Sequence, residues 1–165
     1  RKRKEIINGV KVLRSFEIGR KSGVIGMALN YVSYLLSASI KALFLKKDFD
    51  IIFVYQLSPV TMALPGIVMK KCTCSPLYLY SCDIWPESMK TVLSDEKSFI
   101  YKIVKRVSKY LYSQCDAITV TSQPFIEYFN QEHSIHTDKI SYIPQHAEDI
   151  YCKMDFSTSN AGTVI

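Results

Sequence analysis

Apolar residues fall into short unbroken runs separated by longer stretches of helical period, and that alternation sets the expected fold. Asp50-Ile51-Ile52-Phe53-Val54-Tyr55, Pro76 to Ser81 and Ala117-Ile118-Thr119-Val120-Thr121 have the character of strands buried on both faces of a parallel sheet. Val10-Lys11-Val12-Leu13-Arg14 begins like a strand behind the Asn8-Gly9 turn, and Lys139-Ile140-Ser141-Tyr142-Ile143-Pro144 closes the set. Between them a long helix is predicted from about Val24 to Lys46. A second runs from after Ser58-Pro59 to Lys70-Lys71, with Pro at its first position, where a missing N–H costs nothing.

Ser94 is the expected N-cap of a third helix reaching Ser113, with Asp95 and Glu96 at the positive end of its dipole. Phe99, Ile103, Val107, Tyr110 and Leu111 recur at three- and four-residue steps and are its expected core side, while Lys102, Lys105, Arg106 and Lys109 line another side. Ser122 is expected to cap a fourth helix opened by Gln123-Pro124. Strands alternating with helices mean βαβ units. The right-handed crossover rule then favours an open α/β fold, a doubly wound, Rossmann-like parallel sheet.

At 165 residues, 48% of them hydrophobic, one domain with a sizeable core is expected. The chain opens on Arg1-Lys2-Arg3-Lys4 and stops inside Thr163-Val164-Ile165, so both ends read as cuts through a longer protein. Residues 1–151 are the expected domain, and 152–165 a Ser-, Thr- and Asn-rich linker ending in the first strand of another. The apolar segment Met27 to Leu45 raises a transmembrane question, but Asn30, Ser33, Ser37, Ser39 and Lys41 interrupt it. A domain helix is the expectation, with a membrane-surface helix as the alternative.

The net charge of +6 favours anionic partners, which nucleic acid, phosphorylated substrates and membrane surfaces all satisfy. No aromatic-and-basic motif supports nucleic acid, and no G-x-G-x-x-G follows a strand to support a nicotinamide dehydrogenase. The five cysteines, Cys72, Cys74, Cys82, Cys115 and Cys152, include no C-x-x-C pair and read as buried thiols of a reducing cytosol. His133 and His136 have no evident partner, and no metal site is expected there.

The stretch Tyr80-Ser81-Cys82-Asp83-Ile84-Trp85-Pro86-Glu87-Ser88 directly follows a predicted strand, at a carboxyl end of the sheet, where open α/β sheets bind ligands. It holds two carboxylates and the chain's one Trp. Read structurally, Asp83 caps a turn, Trp85 is core and Glu87 faces solvent.

Asp83-Ile84-Trp85-Pro86-Glu87-Ser88 resembles the D-L-W-P-E-S stretch of family-4 glycosyltransferases that build bacterial surface polysaccharides, notably those resembling aminosugar transferases. Asp50 to Pro59 resembles the family's strand and substrate-facing loop, which includes Ser58. Cys115-Asp116-Ala117-Ile118-Thr119-Val120-Thr121-Ser122 is similar to its A-D-A-V-V-V-V-S strand, and Lys139-Ile140 through Ile143-Pro144-Gln145-His146-Ala147-Glu148-Asp149 to its exit toward a second domain. The four segments come in the family's order across residues 7 to 151. Two departures stand out: Cys82 where many relatives have His, and Gln145-His146-Ala147 where many have Asn-Gly-Val.

The resemblance implies the acceptor-side half of a two-domain GT-B enzyme. Such an enzyme moves a sugar from a nucleotide sugar to a lipid-linked or glycan acceptor, usually with retention, with no cofactor and no required metal. Asp83 would orient or partly deprotonate the acceptor hydroxyl. Ser58, Trp85 and Glu87 would bind the acceptor, and Gln145 and His146 would face the interdomain cleft. The donor-side residues are expected beyond Ile165, which leaves this chain inactive alone. The family also implies a cytoplasmic location, with peripheral contact at the inner membrane face through Lys102, Lys105, Arg106 and Lys109. No nucleic acid partner is implied. The alternative is a non-catalytic Rossmann-like module that binds a glycan or lipid.

Overall fold

The computed structural model describes residues 2–45, 48–91 and 98–146. Strands β1 (Lys4–Ile7) and β2 (Val10–Leu13) form an antiparallel hairpin, with Ile7 paired to Val10 across the Asn8-Gly9 turn. Both turn residues have positive φ, 48° and 81°, as a two-residue hairpin turn of this hand requires. The expected first strand thus belongs to a separate hairpin rather than to the parallel sheet.

Helix α1 (Val24–Leu43) follows. The polar residues that interrupt its apolar sequence recur at 30, 33, 37 and 41, one side of a helix, and they bind the extended segment before it. Ile18 N–H donates to Ser33 Oγ at 2.8 Å, Asn30 Nδ2 donates to the Ile18 carbonyl at 2.6 Å, and Ser37 and Lys41 donate to the Phe16 and Arg14 carbonyls. Backbone groups of a strap with no sheet partner are satisfied by this row. No helix among the described residues is long and apolar enough to cross a membrane.

The main sheet is Rossmann-like: β3 (Ile52–Gln56), β4 (Leu77–Ser81), β5 (Ala117–Val120) and β6 (Ile140–Tyr142), all parallel, alternating with α2 (Leu64–Thr73), α3 (Phe99–Ser113) and α4 (Pro124–His133). The second helix begins as a 3₁₀ turn, Val60–Ala63, and Pro65 rather than Pro59 stands in the first turn of α2. Neighbours in the sheet are neighbours in sequence, so the described strands contain no reversal of order. Right-handed crossovers that all step one way put the three helices on one face. Val60, Ile67, Leu77, Leu79, Ile118, Val120, Tyr112 and Phe129 form the core between them. The expectation of burial on both faces therefore fails for the described residues: Phe53, Tyr55 and Tyr78 on the opposite face are exposed.

α3 departs most from expectation. Its N-cap is Ser98, whose Oγ accepts from Tyr101 N–H at 3.2 Å; Ser94, Asp95 and Glu96 lie outside the described residues. Its buried side chains are Tyr101, Ser108, Leu111 and Tyr112, whereas Phe99, Ile103, Val107 and Tyr110, expected in the core, are 77%, 45%, 40% and 51% exposed. Two apolar stripes at helical spacing run along α3, and periodicity cannot rank them. The stripe holding Ser108 faces inward because the small side chain lets the helix approach and leaves room for the Tyr112 ring.

Ser122 does not cap α4. Gln123 occupies that position in helical conformation without a side-chain bond, and the Ser122 carbonyl accepts from Phe125 N–H at 3.1 Å. Of the cysteines, Cys115 is buried, Cys72 and Cys82 are half-buried and Cys74 is exposed, so buried thiols describes only Cys115; Cys152 lies outside the described residues. The expected linker, the domain boundary near 151 and the strand at Thr163 also lie outside them.

Candidate functional site

The carboxyl edge of the sheet is built on a buried polar hub. Gln56 ends β3 and Ser81 ends β4; both are fully buried, and the Ser81 hydroxyl donates to Gln56 Oε1 at 2.9 Å. Gln56 Nε2 donates to the Asp83 carbonyl at 3.0 Å, and the Gln56 carbonyl accepts from Cys82 N–H at 2.9 Å. A polar pair in this apolar interior is tolerated because its groups satisfy each other and the departing loop. The loop is thereby fixed where it leaves β4.

Asp83, Trp85 and Ser58 come together there. Asp83 Oδ2 accepts from Trp85 Nε1 at 3.0 Å, Oδ1 accepts from the Ser88 hydroxyl, and Trp85 Nε1 also lies 3.3 Å from Ser58 Oγ. Ser58 opens onto a cavity of about 150 Å³ that Glu17, Asn30 and Tyr34 also line. Burial, helped by the Glu17 charge, raises the Tyr34 phenol above its usual range, so it stays a neutral donor. Trp85 borders a second, apolar cavity of about 300 Å³ between α1 and α3. A half-buried carboxylate, hydroxyls, an amide and an aromatic wall around small cavities suit recognition of a polyhydroxylated ligand.

Comparison of the chain with protein-family models and with curated proteins finds no match to either.

Glu87 turns away from Asp83 toward the helices. Its Oε1 accepts from Tyr128 at 2.9 Å and Tyr101 at 3.1 Å, and its Oε2 pairs with Lys90. Burial pushes its carboxyl up, but these hydrogen bonds and the Lys90 charge outweigh that and hold it below the usual carboxylate range. Gln145 and His146 are exposed beside Tyr55, Tyr80 and Thr119, lining a cavity of about 590 Å³ on the open side of the sheet. Tyr55 and Tyr80 stack there at 5.4 Å, and Tyr80 donates to the Ile143 carbonyl at 3.1 Å. Cys82 is near this pair. Among the basic residues, Lys105 pairs with Glu132 at 2.5 Å and Lys109 donates to Ser134 Oγ at 2.8 Å, while Lys102 and Arg106 are exposed.

His133 acquires a partner that its sequence position did not announce. Its Nε2 donates to the Trp85 carbonyl at 3.0 Å from inside a cluster with Tyr112, Phe129 and Tyr128. Burial lowers the imidazole pKa to about 4, although the bond to Trp85 works the other way. Tyr112, its phenol raised by burial, accepts from Trp85 N–H at 3.4 Å. Gln56, Glu17, Tyr112 and His133 were all missed from sequence. Only Gln56 carries a signal there, an amide at the end of an apolar run; the others depend on contacts 27 to 48 residues away or on the strap over α1. His136 pairs with Asp138 at 3.0 Å on the surface. Among the described residues no three His, Cys, Asp or Glu side chains are grouped to hold a metal ion.

Proposed function

We propose that the chain supplies the acceptor side of a glycosyltransferase, with Asp83 orienting an acceptor hydroxyl against the anomeric carbon of a nucleotide sugar. The observation that carries this reading is the Asp83 carboxylate, held from both sides by Trp85 and Ser88 at a carboxyl end of a parallel sheet. The hydroxyl attacks, its proton leaves toward Asp83, and the nucleoside diphosphate departs toward cationic or helix-terminal groups of a donor-binding part. Ser58, Glu17, Asn30 and Tyr34 would bind the acceptor's other hydroxyls, with the Trp85 ring as a wall. Glu87 serves in this reading as a strut that fixes the loop to α3 and α4, and Gln145 and His146 border a neighbouring cleft. The reading implies a cytoplasmic enzyme in surface-polysaccharide synthesis that needs no resident cofactor.

The test is a transfer screen on the intact protein with a panel of nucleotide sugars and a polyprenyl-diphosphate-linked acceptor. Transfer from one donor that is lost in Asp83→Asn is the expected result. Folded protein that transfers from no donor would instead favour a non-catalytic glycan- or lipid-binding module.

A further inference from the structure

Successive side chains of a strand alternate between faces, so the main sheet carries a second row on the side away from the core. Register sets Tyr55, Tyr80, Thr119 and Ser141 next to one another in that row, one from each of β3, β4, β5 and β6. The row therefore changes character across the sheet, from rings on β3 and β4 to hydroxyls on β5 and β6. The Tyr55 and Tyr80 rings stack with 23° between their planes, and Thr119 Oγ lies 2.9 Å from Ser141 Oγ. Where the rings give way to small side chains the surface steps down, and the cavity of about 590 Å³ lies at that step, lined also by Gln145 and His146.

The rings are held in place before any ligand arrives. Tyr80 donates its hydroxyl to the Ile143 carbonyl at 3.1 Å, and Gln145 stands beside the Tyr55 phenol. A platform fixed in this way gives up little freedom on binding. No Asp, Glu, Lys or Arg lines the cavity, although charged residues make up 22% of the chain. A nucleotide, a sugar phosphate or an acidic sugar would find no counter-charge there. A purely apolar partner would cover the Thr119 hydroxyl, the Gln145 amide and the His146 ring without satisfying them. A neutral sugar answers both features: its C–H bonds rest on the electron-rich ring faces, and its hydroxyls meet the hydroxyl, amide and imidazole.

We propose that this cavity on the open face of the sheet is a binding site for a neutral sugar unit, with the Tyr55 and Tyr80 rings as its stacking platform. It is a different place from the Asp83 site, because Asp83 bonds Trp85, which packs against the core and borders the cavity between α1 and α3. The site gives the chain a second hold on a glycan, apart from the hydroxyl that Asp83 is proposed to orient. Binding there needs neither Asp83 nor a donor, so it stands or falls separately from sugar transfer.

The experiment is an NMR titration of the intact protein, without nucleotide sugar, using the methyl glycosides of glucose, galactose, rhamnose and N-acetylglucosamine, with glucuronate and glucose 6-phosphate as charged controls. Millimolar binding of at least one neutral glycoside is expected, with shifts at Tyr80, Thr119 and His146, and no binding of the charged controls. Tyr80→Ala should abolish it. Gln145→Ala, at an exposed position that leaves the core intact, should weaken it about tenfold, the loss of one hydrogen bond. No binding of any neutral glycoside would overturn the proposal, as would equal binding of the charged controls or an affinity unchanged in Gln145→Ala. Shifts confined to the Trp85 indole and Ser58 would put the sugar at the Asp83 site and overturn it as well.

Discussion

The indole N–H of Trp85 donates to Asp83 Oδ2 at 3.0 Å with one residue between them. So short a connection fixes the carboxylate relative to the ring only because the loop is held at both ends of the pair. Gln56 and Ser81 hold the Asp83 carbonyl, and His133 holds the Trp85 carbonyl. The buried ends of β3 and β4 and the end of α4 therefore converge on one carboxylate.

Trp85→Phe keeps an aromatic wall but removes the donor. Hydrogen bonds to charged groups contribute about 1.5–3 kcal/mol, so under the proposed sugar transfer the kcat/KM of the intact protein should fall by about tenfold or more. Steady-state kinetics with a thermal melt checks this. Wild-type turnover in a folded Trp85→Phe protein would mean the indole does not orient Asp83.

His133 makes the fold sensitive to mild acid. Its folded pKa of about 4 lies below the ordinary value of 6.5, so the unfolded chain takes up the proton first. Stability is then complete above pH 6.5 and is lost progressively as pH falls from 6.5 toward 4. His133→Phe, which retains a ring among Tyr112, Phe129 and Tyr128, should lose this slope in urea melts at pH 7 and pH 5. It should also slow the proposed transfer, because the Trp85 carbonyl loses its donor.

The α/β class was legible because the runs at Ile52, Leu77 and Ala117 are short, rich in β-branched and aromatic residues and separated by stretches of helical length. Which stripe of α3 faces inward was not legible, since Phe99, Ile103 and Val107 outrank Ser108 on hydrophobicity while Ser108 wins on size. Nor was the hairpin, because Val10 to Leu13 reads alike in either sheet and its partner Lys4–Ile7 is polar at one end. Asp83, Trp85 and Ser58 could be singled out as a strand-end loop and its neighbour. Of the hub that holds them, only Gln56 carries a sequence signal, at the end of an apolar run, and the places of Tyr112 and His133 depend on three-dimensional neighbours.

Glu87 is predicted to stabilise the loop rather than to turn over substrate. Glu87→Gln weakens the acceptor for two phenols and an ammonium, and at this half-buried position it should cost about 1 kcal/mol. A double-mutant cycle with Tyr128→Phe should show coupling between the two. Because the folded carboxyl lies below its usual range, its contribution is present above the ordinary carboxylate pKa and lost as pH falls through the depressed folded value.

Thiol labelling should separate the cysteines. Burial pushes the Cys115 thiol up to about 12, so it stays protonated and unreactive in the native protein. Cys74, exposed at the end of α2, should label first, and Cys115 only after denaturant is added. Labelling of Cys115 at the same rate as Cys74 in native protein would contradict its burial.

Gly66 tests how closely α2 lies on the sheet. In an ordinary helix Gly→Ala stabilises by about 1 kcal/mol. Here an added Cβ would stand 2.6 Å from Val54 Cγ2 and 3.1 Å from Leu77 Cδ1. Val54 is stiff at χ1 and Leu77 is fully buried, so neither can move aside cheaply. Overpacking of this kind costs about 1–3 kcal/mol and should outweigh the helical gain. Gly66→Ala is therefore expected to lower Tm by a few degrees, about 2–4 °C per kcal/mol for a chain of this size. Adding Val54→Ala removes the nearer methyl, so the double variant should be more stable than the sum of the two single effects predicts. A rise in Tm for Gly66→Ala alone would mean that α2 sits farther from β3 than these distances require.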